Sequence, residues 1–314
     1  MKVEFSRAAL AQREAFRHLT AIAWMFADVR HRWVVVDPDA VRDSAWLDQE
    51  GPHRARALCE QARREASASP SRDLVVEPIG RDARFEDGVW MVPADIAERV
   101  LRKPLDIVVE NARCDGTFLK LIVLRTGGRR LERRLGPDAL ERLRSSWTNP
   151  LGDGDRLEVH HGGGSTTATQ VDLLASAEPP VARRIFVFVD SDRSGPGDSL
   201  GGTAHLVEET CLRLREEHGE ALRLSFKVLQ KREVENYLPR EALEAHRRRS
   251  IGDWDQLSNE EKDYTDIKKM FGDKLWTTMR DHPQHCHERA LRQRAGDRGH
   301  ELDEIVDEIV SLMV

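Results

Sequence analysis

Three short acidic stretches carry residue types able to do metal-assisted chemistry: Val108-Val109-Glu110-Asn111, Val189-Asp190-Ser191-Asp192-Arg193 and Lys231-Arg232-Glu233-Val234-Glu235-Asn236-Tyr237. The first two follow the apolar runs Leu105 to Val109 and Ile185 to Val189, which read as buried strands; the third follows Leu222 to Leu229. An open α/β sheet builds its site at the C-terminal ends of neighbouring strands. On an extended backbone Asp190 and Asp192 point to one face. Two carboxylates held that close repel unless a cation sits between them, and oxygen-only ligands favour Mg²⁺ or Mn²⁺. Single motifs read more plainly: Asp192 as the start of a turn with Ser194 to Gly197, Asp115 as a helix N-cap, Glu235 as part of a turn before a helix. Acids at three strand ends together make the stronger case.

The elements that must position these residues follow from periodicity. Residues 6 to 30 place Ala9, Leu10, Ala15, Phe16, Leu19, Ala23, Trp24 and Phe26 at helical spacing. A strand follows at Trp33 to Val36, a helix from Arg54 to Ala66, a Ser/Pro break at Ser67 to Ser71, a short strand at Leu74 to Val76 and a helix from Pro93 to Leu101. Arg102-Lys103-Pro104 marks a boundary. Beyond it strands and helices alternate: strand to Val109, helix from Asp115 to about Leu124, strand Leu157 to His160, the turn Gly162-Gly163-Gly164 and helix Thr166 to Ala175. Strand Ile185 to Val189, helix Ala204 to Glu217 and strand Leu222 to Leu229 complete the series. This predicts an α/β fold with a mostly parallel sheet flanked by helices. Residues 1–103 read as an accessory α/β domain, 104–240 as the domain holding the acids, and 241–314 as a helical extension ending in the amphipathic stretch Glu301 to Val310.

The 314 residues are long enough for a sizeable core, and 33 % charged against 39 % apolar residues indicate a polar globular protein. A net charge of −6 gives no overall basic footprint for nucleic acid, yet leaves room for a nuclease in which metal neutralises phosphate locally. Cys59, Cys114, Cys211 and Cys286 form no CxxC pair, so neither a disulfide framework nor a zinc knuckle is signalled. The charged N-terminus and the lack of a long apolar run predict a cytoplasmic protein without a membrane span.

The order of these residues resembles the TOPRIM domain of topoisomerases, primases, overcoming-lysogenization-defect family nucleases and stand-alone anti-phage effectors. The resemblance covers about residues 104 to 240: a glutamate after the first strand (Glu110), a glycine-rich turn after the second (Gly162 to Ser165), and a DxD after the third (Asp190, Asp192). Arg232-Glu233-Val234-Glu235-Asn236-Tyr237-Leu238 is similar to the R-E-x-E-N-Y-L stretch of nuclease-type members, and the tail with Tyr264, Asp266 and Lys268 to the extensions of stand-alone ones. Asn111 stands where the family usually has glycine, and Asp115 lies one residue further from Glu110 than is typical. The resemblance implies a Mg²⁺- or Mn²⁺-dependent endonuclease acting on DNA or RNA as an anti-phage defence effector. Glu110, Asp115, Asp190, Asp192 and Glu235 would be metal ligands, Glu110 alternatively a general base, and Lys231 or Arg232 would stabilise the phosphate. The chain has no P-loop, so an ATPase or sensor would be a separate partner chain, and a homo-oligomer is compatible. The competing reading is a non-catalytic, metal- or nucleic-acid-binding regulatory subunit; primase-like nucleotidyl transfer lacks its zinc ribbon and polymerase motifs.

Four further groups have plainer readings. Gly162 to Ser165 before a helix is either a phosphate cradle or a tight turn. His282, His285, Cys286 and His287 fit no zinc spacing and read as a solvated segment. Asp37-Pro38-Asp39 suits a helix entry, and Arg247-Arg248-Arg249 a solvated face or, beside an acidic site, a phosphate contact.

Overall fold

The computed structural model describes residues 1–27, 31–66, 71–135, 141, 157–177, 181–296 and 299–313. It is an α/β protein with two sheets. The first has the order β2-β1-β3-β5-β4, built from Lys2–Phe5 (β1), Arg32–Val34 (β2), Leu74–Glu77 (β3), Arg84–Glu86 (β4) and Val89–Pro93 (β5). The second has the order β7-β6-β8-β9, from Leu105–Val109 (β6), Leu157–His161 (β7), Arg184–Val189 (β8) and Arg223–Val228 (β9), and all its pairings are parallel.

The central strands of the second sheet, β6 and β8, are buried on both faces, which explains their apolar runs. Ile107, Val109, Phe186 and Phe188 enter one core, whereas Val108, Ile185, Val187 and Val189 enter the other. That partition is the two-residue period of an extended chain. The first core also takes Phe118, Leu119 and Ile122 from the helix Asp115–Thr126, and Leu302, Ile305 and Val306 from the helix Gly299–Met313. The helices after Arg240 therefore form no core of their own but close one face of the second sheet. The other face is covered by Thr167–Ser176 and Gly202–His218.

The first sheet rests on an aromatic cluster: Phe5, Phe26, Trp33 and Trp46 have ring centroids 5.5 to 6.3 Å apart. Its two sequence departures are local. The expected helix over 6 to 30 is broken into Arg7–Ala11, a single 3₁₀ turn and Phe16–Ala27, and residues 28–30 lie outside the described set. Trp24, expected on the buried face, is 59 % exposed under the Arg54 guanidinium, 4.5 Å from its ring centroid. Second, β4 and β5 form an antiparallel hairpin that periodicity did not predict. Asp87 and Gly88 turn it, with φ of 50° and 76°. Residues 67–70 of the expected Ser/Pro break lie outside the described set. The sheets meet through named contacts: Trp90 Nε1 donates to the Ala221 carbonyl (3.1 Å), Arg184 to that of Lys103 (2.8 Å), and Arg223 lies 3.5 Å from Asp73.

Candidate metal centre

The carboxylates converge where β6, β8 and β9 end. Glu110 follows β6, and its Oε1 is buried with no hydrogen-bond partner. Burial, then the neighbouring Asp192, push its carboxyl up to about 7. Asp115 does not cap its helix; Asn111 closes the turn before it, its Oδ1 accepting the amides of Arg113 (3.0 Å) and Cys114 (3.3 Å). Asp115 is therefore free to turn inward. It is 2 % exposed, accepts the Asn111 amide at 2.8 Å, and is raised to about 7 by burial, against the pull of that amide. The shifted spacing from Glu110 thus does not remove Asp115 from the cluster; one helical turn delivers it there.

Asp190 and Asp192 do not share a face. Asp190 is buried and accepts the Val234 amide (3.0 Å); burial, then Asp115 and Glu235, hold its carboxyl well above the usual range. The chain then leaves the extended conformation, because the amides of Ser191 and Asp192 both donate to the Arg232 carbonyl (3.0 and 3.1 Å). Asp192 takes φ of 53° and stands exposed at the rim, near enough to Glu110 to raise it. Gly201 packs against it: a Cβ there would fall 2.6 Å from the Asp192 Cβ, so only glycine fits.

The third motif is a 3₁₀ turn, Val234–Tyr237, closed by reciprocal bonds between Glu233 and Asn236. Asn236 also donates to the carbonyls of Lys262 (2.8 Å) and Thr265 (3.0 Å), which brings the helical extension to the site. Both glutamates point in. Glu235 is 1 % exposed; its Oε1 accepts the Cys114 thiol at 2.8 Å and its Oε2 is unpartnered. Burial and the surrounding acids push that thiol far up, so Cys114 serves as a hydrogen-bond donor. Glu233 is raised by burial despite the opposing charge of Lys268.

Lys268 is the residue that motif reading left outside the site. It comes from the short helix Ile267–Phe271, and its Nζ lies 3.2 Å from Glu233 Oε2 and 3.7 Å from Glu235 Oε1. Burial draws its ammonium down, but Glu235, Asp190 and Glu233 outweigh this and hold it charged. The only sequence signal was its position in the helical tail.

Lys231 and Arg232 separate. Lys231 is 1 % exposed and turned away from the acids: its Nζ sits 2.7 Å from Asp263, donates to the Arg294 carbonyl (2.6 Å) and lies over the Tyr237 ring. The expectation that it contacts phosphate is thereby corrected, because its ammonium is held by Asp263 and the Arg294 carbonyl. Arg232 stays at the rim, 3.3 Å from Glu233 and 3.4 Å from the Ser194 hydroxyl.

The remaining candidates fall elsewhere. Cys286 is buried in the core, contrary to a wholly solvated segment, and with its neighbouring histidines it forms no three-ligand set among the described residues. Asp37 accepts the amides of Asp39 and Ala40 as an N-cap. Arg247 donates to the Met270 carbonyl and Arg248 lies 3.9 Å from Glu244. Asp106, Glu158 and His160, on paired strands β6 and β7, bring ligand atoms within 4.8 Å of one another; His160 Nε2 lies 2.7 Å from Asp106, which raises its pKa by hydrogen bonding. The carboxylates of the main centre are spaced more widely, with Lys268 among them.

Among the described residues only Asp106, Glu158 and His160 bring three ligand atoms within 4.8 Å of one another; what the main centre offers a cation is unsatisfied oxygen. Three buried carboxylate oxygens, on Glu110, Glu233 and Glu235, have no hydrogen-bond partner among the described residues, and the acids outnumber Lys268 and Arg232, which face them. An all-oxygen set of this kind suits Mg²⁺ or Mn²⁺. No family model matches the chain, and no curated protein and no solved structure matches it significantly. No helix among the described residues is long and apolar enough to cross a membrane.

Proposed function

We propose that the protein is a Mg²⁺- or Mn²⁺-dependent nuclease that hydrolyses phosphodiester bonds in DNA or RNA, using a TOPRIM-like acidic centre. The observation that carries this reading is the convergence of Glu110, Asp115, Asp190 and Glu235 at the C-terminal ends of parallel strands, with buried oxygens that no protein donor satisfies. Glu110, Asp190 and Glu235 would hold the metal, Asp115 would support them from behind, and Asp192 would serve at the exposed rim. A bound divalent ion would supply Lewis-acid polarisation of the phosphate and of the attacking water. Glu110, with a carboxyl near 7, is matched to accept a proton from that water at neutral pH. Arg232 stands where it can meet the phosphate's charge. By the resemblance, the protein would act as an effector in phage defence, with any ATPase or sensor on another chain.

One observation favours the competing reading of a non-catalytic binding subunit: Lys268 already neutralises part of the centre. The deciding experiment incubates the protein with supercoiled plasmid, single-stranded DNA and tRNA in Mg²⁺, Mn²⁺ or EDTA, beside Glu110→Gln and Asp190→Asn. Metal-dependent cleavage lost in both variants is expected. Equal cleavage by the variants, or none by the parent on any substrate, would sink the nuclease reading.

A further inference from the structure

The glycine-rich turn beside the acidic centre has a chemistry of its own. His161 ends β7 and pairs in register with Val109, one residue before Glu110. The Gly162 amide donates to the Val109 carbonyl (2.7 Å) and the Gly163 amide to that of Glu110 (3.0 Å), so the turn is fastened to the strand end that bears the glutamate. Gly163 and Gly164 both take left-handed conformations, with φ of 72° and 63°, which side chains rarely adopt. The chain then enters a 3₁₀ turn, Gly164–Thr166, and the ten-residue helix Thr167–Ser176.

No side chain caps either start. The Thr166 hydroxyl donates backward to the Gly162 carbonyl and leaves the first amides alone. The Thr167 amide is taken by the Gly164 carbonyl, so the amides without an intrahelical acceptor are those at the start of the continuous 3₁₀ turn and helix, Gly164 to Thr166, at the positive end of its dipole. Two side-chain donors join them. Thr167 is fully buried, and its Oγ1, set against Gly162, has no hydrogen-bond partner among the described residues. An unsatisfied buried hydroxyl is costly unless a ligand completes it. His161 Nδ1 accepts the Ala112 amide at 3.4 Å, which leaves Nε2 as an N–H donor on the side of Gly163. Bare glycines, orphaned amides, a spare hydroxyl and an imidazole donor suit a tetrahedral oxyanion, in the manner of glycine-rich phosphate loops.

The geometry points to a phosphate-holding subsite at His161–Thr167 that grips the strand next to the linkage lying at the acidic centre. This rests on the nuclease reading for the identity of the strand. The gripped group is either an internal phosphodiester or a 5′-terminal phosphate monoester; both present the same oxygens.

The test uses the full chain in an Asp190→Asn background with Mg²⁺, so that binding is read without cleavage. The probes are a 12-nucleotide single strand with a 3′ fluorophore, carrying a 5′-phosphate or a 5′-hydroxyl, followed by anisotropy. Thr167→Val and His161→Ala are each expected to weaken binding roughly tenfold, the worth of one hydrogen bond to a charged group. Thr167→Ser is expected to bind as its parent does, and Thr167→Val to melt no lower than its parent, since it loses only an unsatisfied hydroxyl. A fivefold preference for the 5′-phosphate supports terminal capture, and equal binding supports an internal grip. Affinities of Thr167→Val and His161→Ala within twofold of the parent would overturn the proposal. So would a Thr167→Ser loss as large as that of Thr167→Val, which would assign the effect to packing. If the wild type cuts no substrate but this binding pattern holds, the cleavage reading fails and the subsite stands.

Discussion

Both sheets carry acidic residues along their parallel strands, and the two treat them in opposite ways. In the first sheet Glu4 pairs with Arg72, Glu77 with Arg81 and Glu86 with Arg84, and at its edge Asp37 pairs with Arg7. In the second, Glu110, Asp115, Asp190, Glu233 and Glu235 gather around Lys268, with Arg232 reaching only Glu233, and among the described residues buried oxygens of Glu110, Glu233 and Glu235 have no hydrogen-bond partner. Charge paired one to one is satisfied and asks for no further ligand. Charge gathered in excess inside a poorly solvated pocket raises its own pKa values and stores affinity for a cation. The contrast, rather than any single motif, makes the second sheet the candidate site.

The largest expected effect falls on that site. Asp190→Asn should lower the cleavage rate by roughly a thousandfold or more, about 4 kcal/mol of barrier, measured on the preferred substrate at saturating Mg²⁺. A matching change in the first sheet should leave the rate within twofold, and a loss there would break the comparison.

Lys231→Met comes next and probes stability. It removes one partner of half-buried Asp263, which keeps Arg294 at 2.7 Å, so a cost of roughly 1–3 kcal/mol in denaturant unfolding is expected. The folded fraction should cleave normally. A collapse of activity without loss of stability would return Lys231 to the site.

A third prediction concerns pH. Glu110 and Asp115 are each raised to about 7 in the fold, from ordinary values of 4.5 and 3.8. A carboxyl that binds its proton more tightly when folded contributes stability below its unfolded pKa and loses it as pH climbs through the folded one. The metal-free protein should therefore lose on the order of 2–3 kcal/mol between about pH 4 and pH 7, discounted for the partial exposure of Glu110. Glu110→Gln should flatten part of that decline, and Mg²⁺ should oppose it while releasing protons near pH 6.5. A wild-type curve that is flat over this range would remove the strained centre from the account. The smallest effect is expected in the first sheet: Arg7→Gln should shift the melting temperature by no more than about 2 °C, with no response to Mg²⁺.

Much of the second sheet was legible because its strands are apolar on both faces, so a run such as Ile185 to Val189 has no rival reading of similar quality. The hairpin of β4 and β5 was legible too, in Asp87-Gly88, but its strands are short and half-buried, and periodicity alone passes over them. The break in the first helix was not, since Gln12 and its neighbours carry no proline or glycine to announce it.

The same division runs through the site. Residue type and strand-end position, both local, single out Glu110, Asp190 and Glu235 from the sequence by itself. The sequence also supplied the grounds for the proposed chemistry, because gathered carboxylates suit a hard cation. The tertiary structure decided which side chains turn inward. It brought Asp115 in by one helical turn, sent Lys231 to Asp263, moved Asp192 to the rim through a left-handed residue, and delivered Lys268 from a separate helix. Those outcomes depend on backbone hydrogen bonds and packing between segments far apart in the chain, such as Asn236 reaching Lys262 and Thr265, and no local pattern encodes them.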